Sequence, residues 1–187
     1  MYRVCVDCGS KPGVRPEYEE AAGKTGRYLA GKGIGLVYGG GAAGLRGTLA
    51  RACKDNGGNV TGVIPRKIYD NVSHIELDFL HIVETMHERK RKMSDLSDAF
   101  LALPGGFGTF EEIFEAVAWL QLGYHSKPCA LYNVCGYYDP LQVFLKNCLS
   151  EGFLRREHYD LLFISDSLEA IFSHFRHFRH EYVSKWA

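Results

Sequence analysis

The segment AFLALPGGFGTFEEIFE, Ala99 to Glu115, decides how the rest of the chain is read. Ala99 to Leu103 is an unbroken apolar run, the pattern of a strand covered on both faces of a parallel sheet. Pro104-Gly105-Gly106-Phe107-Gly108 ends that strand, and a helix is predicted from Thr109 to about Leu122. Backbone N–H groups at the positive end of such a helix, left bare by glycine, can receive a phosphate. Thr109 followed three residues later by Glu112 has the form of a capping box, the purely structural reading of the two residues. Glu111, Glu112 and Glu115 beside a bare glycine loop give the functional alternative.

The same alternation continues on both sides. Further strands are predicted at Tyr2 to Cys8, Ile34 to Tyr38, Val60 to Ile64, Leu80 to Val83, Pro128 to Tyr132 and Leu161 to Ile164. Helices are predicted at Glu17 to Gly31, Leu45 to Asn56, Thr85 to Leu96, Pro140 to Glu151 and from Ser167 onward. Strand alternating with helix implies an α/β fold, a mostly parallel sheet with helices on both faces. A single domain over 1–187 is expected, with a C-terminal helix from about 167.

Ligands of such sheets sit beyond the carboxyl ends of strands, and the glycines gather there. Of 21 glycines, nine (Gly9, Gly39, Gly40, Gly41, Gly44, Gly47, Gly105, Gly106 and Gly108) fall in three loops or helix starts that follow strands. YGGGAAGLRG, Tyr38 to Gly47, has dinucleotide spacing at Gly39-x-Gly41-x-x-Gly44, but the next strand ends Val63-Ile64-Pro65-Arg66 without the acidic residue that holds a ribose. Leu45-Arg46 stand where a Walker A loop has Lys-Ser/Thr. The bare donors common to both motifs remain. In the helix TMHERKRKMSDL, Met86, Met93 and Leu96 mark an apolar face, and Arg89 and Lys90 lie three and four residues from Met86 on that face. A cation turned inward needs a carboxylate or a bound anion.

Composition narrows the classes. The 187 residues carry 22 Lys+Arg and 22 Asp+Glu, so no basic excess points to nucleic acid or an anionic membrane surface. Hydrophobic residues at 46% and charged residues at 24% are those of a folded globular chain. No leader and no long apolar run is read, so the reducing cytoplasm is expected and the six cysteines are expected as thiols. Cys5 and Cys8 on one strand would face opposite ways, which argues for small buried residues over a metal or redox pair. His174, His177 and His180 step around a helix without converging. No metal is expected, and Phe172, Phe175, Phe178 and Tyr182 are expected to pack on the body or on a partner subunit.

MHERK (Met86 to Lys90) with PGGFGTFEEIFE (Pro104 to Glu115) resembles the signature of the LOG family, the cytokinin riboside 5'-monophosphate phosphoribohydrolases, once labelled "possible lysine decarboxylase". VCVDCGS (Val4 to Ser10), YGGGAAGLRG and QLGYHSKP (Gln121 to Pro128) extend the resemblance over most of the chain. It implies a Rossmann-like doubly wound fold, a homodimer, and hydrolysis of adenine-type nucleoside 5'-monophosphates, AMP or N6-modified AMP, to free base and ribose 5-phosphate without a cofactor. It places catalysis on Arg89 and Glu112. Nucleotide and phosphate binding is expected at Gly9, Ser10, Gly40, Gly41, Lys90, Pro104, Gly105, Gly106, Phe107, Gly108 and Thr109, with support from Glu115 and Met86. Two positions depart from the pattern: Asn71 where many members have a substrate-binding glutamate, and Arg46 where methionine is usual. A glutamate in a first helical turn is expected to stay ionised and suits a base or cation stabiliser; Glu112→Gln is then expected to abolish turnover at little cost in stability. A pyridoxal phosphate decarboxylase has no recognisable site. The alternative is a non-catalytic nucleotide-binding or carrier protein on the same scaffold.

Overall fold

Five of the seven strands are closed to solvent on both faces, which is why their sequences run apolar without alternating. The computed structural model describes residues 1–181 and 183. In chain order it comprises β1 (Arg3–Asp7), α1 (Pro16–Gly31), β2 (Gly35–Tyr38), α2 (Gly44–Asp55), β3 (Val60–Pro65), α3 (Arg66–Tyr69), β4 (Phe79–Val83), α4 (Met86–Asp95) and β5 (Ala99–Ala102). Then follow α5 (Phe107–Gln121), β6 (Cys129–Tyr132), a 3-10 turn (Val134–Gly136), α6 (Asp139–Ser150), α7 (Arg156–Tyr159), β7 (Leu162–Ser165) and α8 (Leu168–His177). The strands form one sheet in the order β4-β3-β2-β1-β5-β6-β7. Every pairing is parallel, so "mostly parallel" becomes all-parallel.

Alternate residues of each strand feed two separate cores. Val4, Val6 and Cys8 join Leu29 of α1, Leu49 of α2 and Phe172 of α8 on one face. Cys5, Val37 and Phe100 join Met93 of α4, Ile113 and Leu120 of α5 on the other. Cys5 and Cys8 therefore do face opposite ways, each as a small buried side chain. The edge strands, β4 and β7, are partly open.

Local signals explain four of the eight α-helix starts among the described residues, and one was misread. Pro16 opens α1, where its missing N–H costs nothing. A capping box starts α4: Thr85 Oγ1 accepts the Glu88 N–H at 3.1 Å, and the Glu88 carboxylate accepts the Thr85 N–H at 3.3 Å. The box expected at Thr109 and Glu112 does not exist. Helix α5 begins two residues earlier, with Gly106 as N-cap and no side-chain cap, which puts Glu112 in the second turn. Met86 opens α4 at the surface, 42% exposed, and does not belong to the inward face. At the C-terminus α8 ends at His177, so His180 is not helical. Phe172 and Phe175 are buried and Phe178 packs against the second core, whereas Tyr182 lies outside the described residues.

Candidate active site

The order of strands creates the site. Strand β1 has β2 on one side and β5 on the other, and the helices that follow β1 and β5 pack on opposite faces of the sheet, opening a crevice between them. The two strand ends are stitched together, Leu103 N–H donating to the Asp7 carbonyl at 2.9 Å and Gly9 N–H to the Pro104 carbonyl at 3.0 Å. A cleft of about 320 Å3 opens there, lined by Gly9, Ser10, Lys11, Leu45, Gly105 and Tyr137 among others. A second, narrower cleft is lined by Asp7, Lys90, Glu112, Glu115 and Trp119.

Helices α4 and α5 deliver the charged pair. Arg89, 3% exposed, donates from Nη1 to Glu112 Oε1 and from Nε to the Val63 carbonyl at 3.2 Å. Its guanidinium also lies against Gly39, where any side chain would collide with Nη2. That glycine makes room for the arginine, not for a ligand. Arg46 is the second cation: Nε donates to the Cys8 carbonyl at 3.1 Å, and Nη2 stands 4.0 Å from Glu112 Oε2. Glu112 Oε2 itself is buried without a hydrogen-bond donor.

Asp7, at the end of β1, is 4% exposed and faces this cluster. Burial first, then the charge and hydrogen-bonding contact of Glu112, holds its carboxyl well above the usual range, with Arg89 and Arg46 pulling the other way. The neighbouring thiols are likewise kept protonated by burial, Cys8 pushed up to about 12.

The structure brings only part of the expected set together. Arg89 and Glu112 meet. Lys90 does not face Glu112; its ammonium bridges Glu111 and Glu115, 2.7 Å from Glu115 Oε2. Burial pulls its pKa down, but those two carboxylates outweigh it and raise the pKa. Gly9, Ser10, Pro104, Gly105 and Gly106 line the larger cleft, while Gly40, Gly41, Phe107, Gly108 and Thr109 line neither of these two clefts. The glycine cluster divides by cause. Gly40 is required by its φ of +78°, and a side chain at Gly105 would strike Thr109. Gly41, Gly106 and Gly108 have open space where a side chain would point, so nothing in the fold accounts for their bare backbone. Asn71 is exposed, its Nδ2 donating to the Lys67 carbonyl at 2.8 Å.

Three residues that shape the site carried no sequence signal. The Tyr137 hydroxyl donates to the Gly105 carbonyl at 2.5 Å, and the Tyr138 hydroxyl to the Leu103 carbonyl at 2.7 Å, so this tyrosine pair braces the glycine loop. Asp7 stood within the stretch VCVDCGS with no role of its own read for it.

Residues 47–175 match a family model described as possible lysine decarboxylase. The chain is 47% identical over 160 residues to the probable cytokinin riboside 5'-monophosphate phosphoribohydrolase LOGL9 of Oryza sativa subsp. japonica, covering 85% of this chain and 70% of the relative. It is 46% identical over 156 residues to the phosphoribohydrolase LOG of the same organism, covering 83% and 64%. The chain thus spans roughly two thirds of the length of these relatives. Among solved structures, the molybdenum cofactor carrier protein of Chlamydomonas reinhardtii superposes with a TM-score of 0.70 over 94% of this chain and 96% of that chain, at 20% identity, a likeness of fold.

Proposed function

The chain belongs to the LOG family, whose model carries the description possible lysine decarboxylase and whose curated relatives are cytokinin riboside 5'-monophosphate phosphoribohydrolases, and on that premise we infer that it hydrolyses nucleoside 5'-monophosphates of the adenine type. The observation that carries this reading is the buried Arg89–Glu112 pair set beside bare glycine backbone at the switch point of the sheet. Water adds its oxygen to the anomeric carbon as the C–N bond breaks, one proton leaves that water, and one is taken up by the departing base. Positive charge grows on the ribosyl ring during that step, and a fixed carboxylate stabilises it more in the transition state than in the ground state. Glu112 supplies the carboxylate, held in place by Arg89. The 5'-phosphate is received by the Gly9-Ser10 turn and by Gly105-Gly106, the loop that leads into the uncapped start of α5.

No cofactor is required for this chemistry. Lys90, the lysine lining the narrow cleft, is held as an ammonium by two carboxylates, the opposite of what a Schiff-base lysine needs. None of the helices among the described residues is long and apolar enough to cross a membrane. On the family resemblance we propose a cytoplasmic homodimer. Val143 and Phe144 on α6 and Phe153 just after it, all exposed, support the second copy.

The deciding experiment incubates wild type and Glu112→Gln with AMP, isopentenyl-AMP, GMP and CMP and follows base and ribose 5-phosphate by chromatography. Release from the adenine nucleotides, reduced at least about 100-fold by the substitution, is expected. A wild-type protein whose melting temperature rises with AMP but that frees no base over hours is the non-catalytic binder instead.

A further inference from the structure

Glu112 has two oxygens in different circumstances. Oε1 receives Arg89; Oε2 is buried and receives nothing from any group in its ordinary ionisation state. Arg46 Nη2, at 4.0 Å, is too far to donate. The buried Asp7 carboxyl lines the same narrow cleft as Glu112 and makes a hydrogen-bonding contact with it, and two carboxylates cannot bond unless one of them keeps a proton. We propose that Asp7 is a positioning residue for Glu112: its carboxyl is protonated and donates to Glu112 Oε2, so that the glutamate is gripped by Arg89 on one oxygen and by Asp7 on the other.

Everything packed around Asp7 is consistent with that assignment. Cys5 lies on the same strand, its Sγ 3.8 and 3.9 Å from the Asp7 oxygens, and Cys8 and Cys129 on β6 are thiols held neutral by burial. Tyr138, ahead of α6, is held neutral in the same way. The charges facing Asp7 are Glu112 from α5, Arg89 from α4 and Arg46 from α2; Lys90 and Glu115 share the cleft but pair with each other. Both arginines have donors committed elsewhere, Arg89 to Glu112 and Val63, Arg46 to Cys8. A proton on Asp7 rather than on Glu112 leaves the negative charge on the oxygen pair that Arg89 already holds. The cluster then totals one positive charge, from two guanidinium groups and one carboxylate, beside the turn proposed to receive a phosphate.

The sign with pH follows from where the proton is. The folded state holds a proton that an unfolded Asp releases near its ordinary value of about 3.9. Stability from this contact is complete below that value and declines as pH rises through the higher folded value, where Asp7 ionises against Glu112.

Infrared difference spectra at neutral pH test the proton directly and need no substrate. Wild type is expected to show the carbonyl stretch of a protonated carboxylic acid that Asp7→Asn lacks. In Glu112→Gln the midpoint at which that band disappears is expected to move to lower pH. Asp7→Asn, whose amide can still donate, is also expected to remove the decline of urea stability that sets in as pH rises above about 3.9 and to flatten the alkaline limb of the kcat profile. Absence of the band at neutral pH, its persistence in Asp7→Asn, or an unmoved midpoint in Glu112→Gln would each overturn the assignment. The contact rests on the placement of Glu112 in the proposed site, but a protein inactive on every nucleotide would refute the hydrolase reading and leave the infrared result standing.

Discussion

Replacing Arg89 with methionine removes the guanidinium but keeps an unbranched apolar stem of similar reach in the slot against Gly39. Glu112, whose side chain is 7% accessible, then keeps its charge with no cation bonded to it, and the Val63 carbonyl loses its donor. Breaking a buried pair by deleting one partner costs about 3–5 kcal/mol, because the remaining charge is stranded away from water. For a chain of this size about 1 kcal/mol corresponds to roughly 2–4 °C, so the melting temperature is expected to fall by roughly 6–20 °C at pH 7. The stranded carboxylate can escape by taking up a proton, so the deficit should shrink as pH is lowered. Arg89→Met/Glu112→Gln together strand no charge and are expected to recover at least about 1 kcal/mol relative to the single Arg89 variant. Urea denaturation of wild type, both singles and the double at two pH values completes the cycle. A double variant whose loss equals the sum of the singles, or an Arg89→Met deficit unchanged at low pH, would refute the reasoning.

Two further outcomes follow from other parts of the molecule. Thr85→Ala removes the cap of the helix that carries Arg89 and is expected to cost about 1 kcal/mol in urea denaturation, with kcat falling more than that loss of folded protein explains. If two copies associate through α6, Val143→Asp with Phe144→Asp is expected to halve the mass measured by light scattering; an unchanged mass places the interface elsewhere.

The strands were legible because parallel sheets bury both faces, and runs such as AFLA and CALY have no polar alternation to confuse with anything else. Arg89 and Glu112 were legible for a different reason. A cation at helical spacing needs a partner, and it was the family resemblance, not spacing, that singled out Glu112 among the three glutamates beside the glycine loop. What failed was locally underdetermined. Gly106 and Gly108 have such weak helix propensity that α5 seemed to begin at Thr109, yet packing on the sheet extends it to Phe107. That displacement moved Glu112 out of the first turn and into a buried pair, so the expectation that Glu112→Gln costs little stability no longer holds. The four-residue helices α3 and α7 are too short to leave a periodic trace. Asp7 and Arg46 acquire their meaning only from strand order, which joins β1 to β5 across the whole intervening chain.

That strand order also governs when the site can come into being. The chain builds outward from β1 to the edge at β4, and then α4 must carry it back across the sheet so that β5 can dock on the far side of β1. Contacts of such sequence separation bear their loop-closure entropy before they return any stabilisation, so the return crossing should be among the slow steps of folding. Arg89 rides on the crossing helix and Glu112 on the helix after it. A nascent chain with β1 to β4 already paired therefore holds Asp7, Gly39 and Arg46 in position but has no pair for them to face. Amides of β5 exchanging with solvent in step with loss of AMP binding would be the experimental trace of that late closure.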